Sequence, residues 1–250
     1  MAEMNQREDA FAIWVGNLRK YAEGDLEGDW IRLPQKDAEL DRMLNDISNG
    51  VDELMIMDID IGKNCSWMRD IIGEYSDIHD LNVLAKLIGT SEHPAVETYL
   101  TSGGDLSKSE LANLLFQEEK LPFFSYEFEG SENPVVLNSL SEEEKLGYTM
   151  IEQDPNLKSF LETYEIGTIN IGTYIDVGAI GRDFSLNGYV DLHEKGYLDT
   201  RMEMPDLNAY SMDEIKQELQ QQEDMKMQME IRQKEVVRQR DRTPEKSPKL

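Results

Sequence analysis

The chain has 250 residues, with 51 Asp plus Glu against 25 Lys plus Arg and a formal net charge of −26. That length can bury a sizeable core and hold roughly one to three small domains. A field of this sign repels nucleic acid and membrane surfaces and attracts cationic proteins, including those built to hold a polyanion. Hydrophobic residues at 39 % and ten tyrosines argue against a wholly disordered acidic chain.

Residues Met1–Asp9 read as a mobile leader. From Ala10 to Gly16, Phe11, Ile13 and Val15 alternate with Ala12 and Trp14, a strand signature. Asn17–Gly28 reads as a loop, Asp29–Leu33 as a second strand, and Pro34 as the opening of a helix. In that helix Leu40, Met43, Leu44 and Ile47 hold i, i+3, i+4, i+7 spacing, with Asp37, Asp41 and Asp46 among the polar positions between them. Glu53–Asp60 returns as a strand, giving a ββαβ unit over residues 10–62.

Residues 63–120 read as a helical middle domain: Asp77–Ile88, Pro94–Leu100 and Ser107–Glu118. Stripes at Leu81, Leu84, Ala85, Ile88 and at Leu111, Leu114, Leu115 mark their buried faces, Ser107 with Glu110 has capping-box spacing, and Gly103-Gly104 breaks the chain between helices. Residues 121–205 read as mixed α+β: an extended aromatic segment at Phe123–Phe128, a helix from Glu142, another around Leu157–Tyr164, a Gly-rich passage to Gly181-Arg182-Asp183, and short extended pieces near Tyr189–Leu192 and Tyr197. The fold class expected is α+β, in three small domains.

Ser141 and Glu144 form another capping-box spacing ahead of Glu142. At 100° per residue, Leu146, Gly147, Met150 and Ile151 gather on a packing side, leaving Glu142, Lys145, Thr149 and Glu152 to face water. Glu142, Glu143 and Glu144 complement the positive end of the helix dipole. Residues 206–250 read as a tail, helical from Ser211 and disordered by Thr243–Leu250. Residues 213–250 carry nine acids and nine bases, so the whole excess of acid lies in residues 1–212.

Constellations that carry chemistry are thin. His79, His93 and His193 lie in unrelated contexts, no Walker loop is present, and the glycines at 167, 172, 178 and 181 do not make GxGxxG. Asp58, Asp60 and Gly62 begin like a calcium loop, but the remaining ligand positions fail. The single cysteine, Cys65, argues against a disulfide or a cysteine-based zinc site. No catalytic residue, cofactor or metal is therefore assigned. With so many acids, some carboxylate pair will meet by accident at the separation of a general acid and base, so their abundance is no evidence of hydrolysis. The N-terminus lacks the basic start and apolar run of a signal peptide and no segment is long enough to span a bilayer, so the expected setting is soluble and cytoplasmic. Distributed acid has another use: B-DNA carries one phosphate charge per ~1.7 Å, so this net charge corresponds to roughly 44 Å of duplex.

The segment Ile13-Trp-Val-Gly-Asn-Leu-Arg-Lys-Tyr-Ala-Glu-Gly-Asp-Leu-Glu-Gly-Asp-Trp-Ile-Arg-Leu-Pro34 resembles the opening of the ArdA antirestriction family, in which N-L-x-K-Y, E-G-x-L-x-G-x-W and L-P precede the first helix. Leu140–Tyr148 is similar to the family's acidic motif ending in L-G, and Ala179-Ile-Gly-Arg-Asp-Phe-Ser-Leu-Asn-Gly188 resembles its A-x-G-R-D segment. The resemblance implies an elongated three-domain protein, usually a homodimer and carried by mobile elements. Its acidic surface would imitate bent DNA in the DNA-binding site of a type I restriction-modification enzyme, on the methyltransferase core. It implies no catalysis and no direct nucleic-acid or membrane binding by the acidic body. Glu142, Glu143, Glu144, Asp37, Asp41 and Asp46 are the candidate partner-binding residues, and Leu140, Leu146 and Gly147 are assigned to packing or dimer contact. The rival readings are an acidic scaffold that recruits a partner through the C-terminal helix and an acidic hydrolase. Truncation at Ser211 is expected to spare mimicry and abolish scaffolding.

Overall fold

The structure is a computed structural model that describes residues 9–50, 52–103 and 106–241, with the side chains of Lys63, Glu230 and residues 233–241 outside the description. The leader expected at Met1–Asp9 (save Asp9), Gly104 of the Gly103-Gly104 break and the stretch Thr243–Leu250 also lie outside the described residues. The fold is α+β, built from small antiparallel sheets and many helices. Among the described residues no helix is long and apolar enough to cross a membrane.

The first sheet has the order β2-β1-β3, from β1 (Phe11–Asn17), β2 (Gly28–Leu33) and β3 (Leu54–Ile61). Phe11 pairs with Leu33 and Ile13 with Ile31, so alternate residues point to one face and are sealed from water. Between β1 and β2 the expected loop contains a helix, α1 (Leu18–Glu23), capped by the Asn17 side chain and ended by Gly24 at φ 94°. Six residues with no buried side chain leave no periodicity to read, and the cap alone marks it. Helix α2 (Asp37–Ser48) begins three residues later than Pro34. The intervening Gln35 is held by Asn82, whose Oδ1 accepts from Gln35 N at 2.7 Å and whose Nδ2 donates to Gln35 O at 3.0 Å. The second of those bonds takes the Gln35 carbonyl, which a helix opening at Pro34 would have used.

After a 3₁₀ segment at Lys63–Asp70 come α3 (Ile78–Ile88), α4 (Pro94–Ser102) and α5 (Lys108–Phe116). The stripes read from the sequence are buried in both α3 and α5, and both halves of the Ser107–Glu110 capping box are made. One apolar cluster runs from Phe11, Ile13 and Val15 through Leu40 to Leu81, Leu84, Leu111 and Leu114. The second sheet has the order β4-β8-β7, from β4 (Phe123–Ser125), β7 (Val190–His193) and β8 (Gly196–Asp199). Its strand β8 serves two cores by alternation: Leu198 joins the first cluster, and Tyr197 joins a second with Tyr126, Leu146 and Val190. Helices α6 (Pro134–Ser139), α7 (Glu142–Gln153) and α8 (Pro155–Thr163), a two-stranded hairpin of β5 (Glu165–Ile166) and β6 (Ile169–Asn170), and α9 (Val177–Leu186) complete this part. Of these, α9 occupies the end of the Gly-rich passage, to which the sequence assigned no element.

The tail begins as part of the body. Helix α10 (Met212–Asp241) lies against α3 and α5, with Ile215 wholly buried in the first cluster. Ahead of it, Asn113 Nδ2 donates to Tyr210 O at 2.7 Å, Asn113 Oδ1 accepts from Tyr210 N at 2.9 Å, and Gln117 Nε2 donates to Asp206 O at 2.8 Å. A cut at Ser211 would therefore open the core, so truncation after Glu223 is the cleaner way to separate mimicry from scaffolding. Past that point Met225, Met227, Met229 and Ile231 are exposed.

Buried His93 has acceptors at both ring nitrogens, Glu118 Oε2 at 2.6 Å from Nδ1 and Ile88 O at 2.7 Å from Nε2. Only the doubly protonated ring donates to both. Burial works against that charge, but the bonds to Glu118 and Ile88 and the Glu118 charge outweigh it and hold the His93 pKa above 6.5.

Two expectations follow from these contacts. Ile215→Ala should lower stability by ~2–4 kcal/mol in urea melts, the range for a fully buried branched side chain, whereas removal of residues 224–250 should change it by about 0.5 kcal/mol or less. For His93 the folded pKa is raised, so its stabilisation is fully present below about pH 6.5 and is lost as pH rises through the folded value. Melting temperatures from about pH 6 to pH 8 should therefore fall more steeply in the wild type than in Glu118→Gln.

Candidate functional site

Helix α7 carries the acidic motif. Ser141 Oγ accepts from Glu144 N at 3.2 Å and Glu144 Oε2 accepts from Ser141 N at 2.8 Å, so the capping box is complete and occupies one carboxylate of the three. Glu142 and Glu143 remain half-exposed beside it. Beneath them the Tyr126 hydroxyl donates to His193 O at 2.8 Å. Burial pushes the Tyr126 phenol up, and the charges of Glu142 and Glu143 add to that effect, so it stays neutral.

The expected water-facing side of α7 is corrected at two positions. Lys145 is 6 % exposed and Thr149 is wholly buried, because the second sheet and α9 both cover this helix. Lys145 Nζ lies 5.7 Å from the centre of the Tyr126 ring and donates to Glu194 O at 3.4 Å. Thr149 Oγ1 donates to Lys145 O at 2.8 Å and accepts from Glu127 N at 3.1 Å. These polar groups are thus satisfied inside and tie the strand-end at Tyr126–Glu127 to the helix. The outward position between them is Tyr148.

The two motifs that lie some 40 residues apart in the chain meet face to face. A Cβ at Gly147 would fall 2.0 Å from Val177 O, and one at Gly181 would fall 1.9 Å from Glu143 O and 3.0 Å from Gly147 N. At Gly178 it would meet Glu144 Cγ at 3.2 Å. Backbone against backbone at these distances leaves no room for a side chain, so the glycines are the packing surface of α7 and α9. They set the acidic first turn of α7 on the N-terminal half of α9. Leu146 is sealed in the second cluster, Gly147 is buried in the α9 contact, and Leu140 is partly exposed.

The other three candidate acids lie on α2, whose apolar side belongs to the first cluster, while α7 contributes to the second. Asp37 is paired with Lys86 at 3.4 Å and with Lys216 of α10 at 3.2 Å. Partial burial works against its ionisation, but the Lys216 hydrogen bond and the charges of Lys86 and Lys216 outweigh it and hold the carboxyl below the usual range. Asp41 is 3.6 Å from His79, and Asp46 is exposed. Each of the three histidines thus faces a carboxylate, His79 with Asp41, His93 with Glu118 and His193 with Glu97.

Several cations are also paired with acids, Arg19 and Lys20 with Glu23, Arg42 with Glu39, Lys158 with Glu152, Lys195 with Glu92, and Arg201 with Asp199, and in residues 1–212 acids outnumber bases 42 to 16. The outward field is therefore that of unneutralised carboxylate. Among the described residues no group of three or more His, Cys, Asp or Glu is placed to hold a metal ion. Sequence reasoning missed Lys216 as the partner of Asp37, because only the docking of α10 brings it there.

Gly181→Ala should force α7 and α9 apart and destabilise the protein by at least ~1–3 kcal/mol, the usual cost of overpacking. Circular dichroism melts would check this, and an unchanged melting temperature would show that the two helices do not need their close approach.

No curated protein matches the chain. The sequence profile of one family, described as Antirestriction protein (ArdA), matches residues 13–199, which takes in the strand-and-glycine opening, the acidic motif of α7 and the glycines of α9. With three quarters of its length inside that match and the family's motifs packed against one another, the chain belongs to the ArdA antirestriction protein family.

Proposed function

We propose that the protein inhibits a type I restriction-modification enzyme by occupying the DNA-binding site of its methyltransferase core, its carboxylates standing where phosphates would lie. Family membership supports the antirestriction role. The observation that carries the mechanism is the charge arrangement: residues 1–212 hold the entire net charge of −26, and several of their few cations are paired with nearby acids. What such a body offers a partner is a folded, strongly negative surface, complementary to a basic DNA groove. Asp41 and Asp46 are exposed and Glu142 and Glu143 partly exposed members of that surface, while Asp37 and Glu144 hold its shape through their lysine and capping contacts. Inhibition of this kind makes and breaks no bond. A homodimer would double the length of duplex imitated.

A second reading has one observation in its favour. The far half of α10 shows Met225, Met227, Met229 and Ile231 to solvent, as a helix awaiting a partner would. Truncation after Glu223 tests it.

The main test is displacement of labelled DNA from a type I methyltransferase core at two salt concentrations. Stoichiometric displacement that weakens with salt is expected, because screening shortens the range of a charge-steered encounter. Neutralising any one exposed acid, such as Asp46→Asn, should cost about 1 kcal/mol or less, since rim charges contribute little singly. Failure of the folded protein to displace DNA from several such enzymes would overturn the reading, and so would a single carboxylate whose loss abolished inhibition.

A further inference from the structure

The outer face of the first sheet is built differently from the solvated face of an ordinary antiparallel sheet, which is polar. Trp14 lies directly opposite Trp30 on one side and Asp58 on the other. Its indole spreads over two glycines: a Cβ would fall 2.9 Å from Trp14 Cζ3 at Gly16 and 2.8 Å from Trp14 Cη2 at Gly28. Met57 fills the other side of Gly16, where a Cβ would lie 2.5 Å from its Cε. The glycines of the opening motif thus make room for a flat aromatic floor. Trp30 is 41 % exposed, and Tyr21, from α1, is 55 % exposed. Together these side chains line an open concavity of about 530 Å³, and the carboxylates of Asp58 and Glu74 stand in its wall.

Neither acid forms an ion pair among the described residues, and the Asp58 carboxylate accepts from its neighbour Ile59 N at 2.8 Å through Oδ1. An aromatic floor with unneutralised carboxylates at its edge suits a cation that is planar and weakly hydrated. A guanidinium stacks on an indole face while its edge donates to carboxylate, whereas an ammonium holds its water more strongly. We propose that this concavity is a seat for an arginine side chain presented by a cationic partner protein. The proposal rests on reading the partner as a DNA-binding protein with a basic groove, and it adds to that reading a short-range anchor that spread charge does not supply. Buried aromatic and arginine contacts dominate protein interfaces, while rim charges mainly steer the approach.

The full chain, labelled with ¹⁵N at its tryptophans, would be titrated with tetra-arginine amide and with tetra-lysine amide at matched ionic strength. The indole N–H signals of Trp14 and Trp30 should shift saturably. Trp67, whose indole nitrogen is buried in the 3₁₀ segment, serves as an internal reference and should not move. Tetra-arginine should bind about threefold or more tightly than tetra-lysine, the advantage expected of stacking at an exposed aromatic site. Trp30→Leu, which keeps the strand and its apolar area, should remove that preference, and Asp58→Asn should weaken both peptides. Equal binding of the two peptides, shifts of Trp67 as large as those of Trp14 and Trp30, or no shift at all would overturn the proposal. So would Trp14 and Trp30 signals that change on dilution without peptide, which would show a second copy covering the face. Because no restriction enzyme is involved, this result is independent of the DNA-displacement test, and each can fail while the other stands.

Discussion

Mutual repulsion among carboxylates is the constraint that every contact in this fold answers to. Surface ion pairs contribute about 1 kcal/mol or less each, so the cations do not hold the chain together; two apolar clusters do. What the cations accomplish is local cancellation at joins between distant segments. Lys86 and Lys216 meet Asp37 where α2, α3 and α10 converge, Arg19 meets Asp52, and Lys195 meets Glu92. His93, its pKa raised beside Glu118, does the same between the end of α3 and the segment after α5. Elsewhere acid is left facing water, so the surface charge is high where no segment needs to approach another.

The family motifs acquire a physical meaning from this arrangement. The acidic motif and the A-x-G-R-D segment form one object, two helices whose backbones touch through Gly147 and Gly181. The opening motif is likewise a matter of space, since Gly16 and Gly28 lie beneath Trp14, while Asn17 caps α1 and donates to Ile47 O and Asp52 Oδ2, both at 3.0 Å. In each block the glycines set distances and the charged or aromatic residues ride on them. Strand β8 then links the regions by giving Leu198 to one core and Tyr197 to the other.

Local signals were legible in the sequence. The capping boxes at Ser107 and Ser141 and the stripes of α3 and α5 depend on residues within a few positions of each other, and all are present. Helix α9 was not legible, because Gly178 and Gly181 lower helix propensity and their compensating contact lies on α7. The burial of Lys145 and Thr149 was hidden for a related reason: a helical wheel assumes one buried side, and α7 has two. Of the candidate site, the acidic turn Glu142–Glu144 could be read from charge and spacing, including the capping role of Glu144. The lysines that claim Asp37 could not, since one comes from α3 and the other from α10.

The family match ends at residue 199, yet Ile215 is sealed in the first cluster and Tyr210 is clasped by Asn113. Order along the chain and membership of a folding unit therefore part company here. In a chimaera that exchanged the C-terminal portion with a relative, a crossover near residue 200 would carry α10 away from α3 and α5 and leave an apolar socket gaping in the half left behind. The exchangeable unit is discontinuous: residues 206–223 are inherited with the N-terminal sheet and middle helices, and the α7–α9 pair is an insert between them.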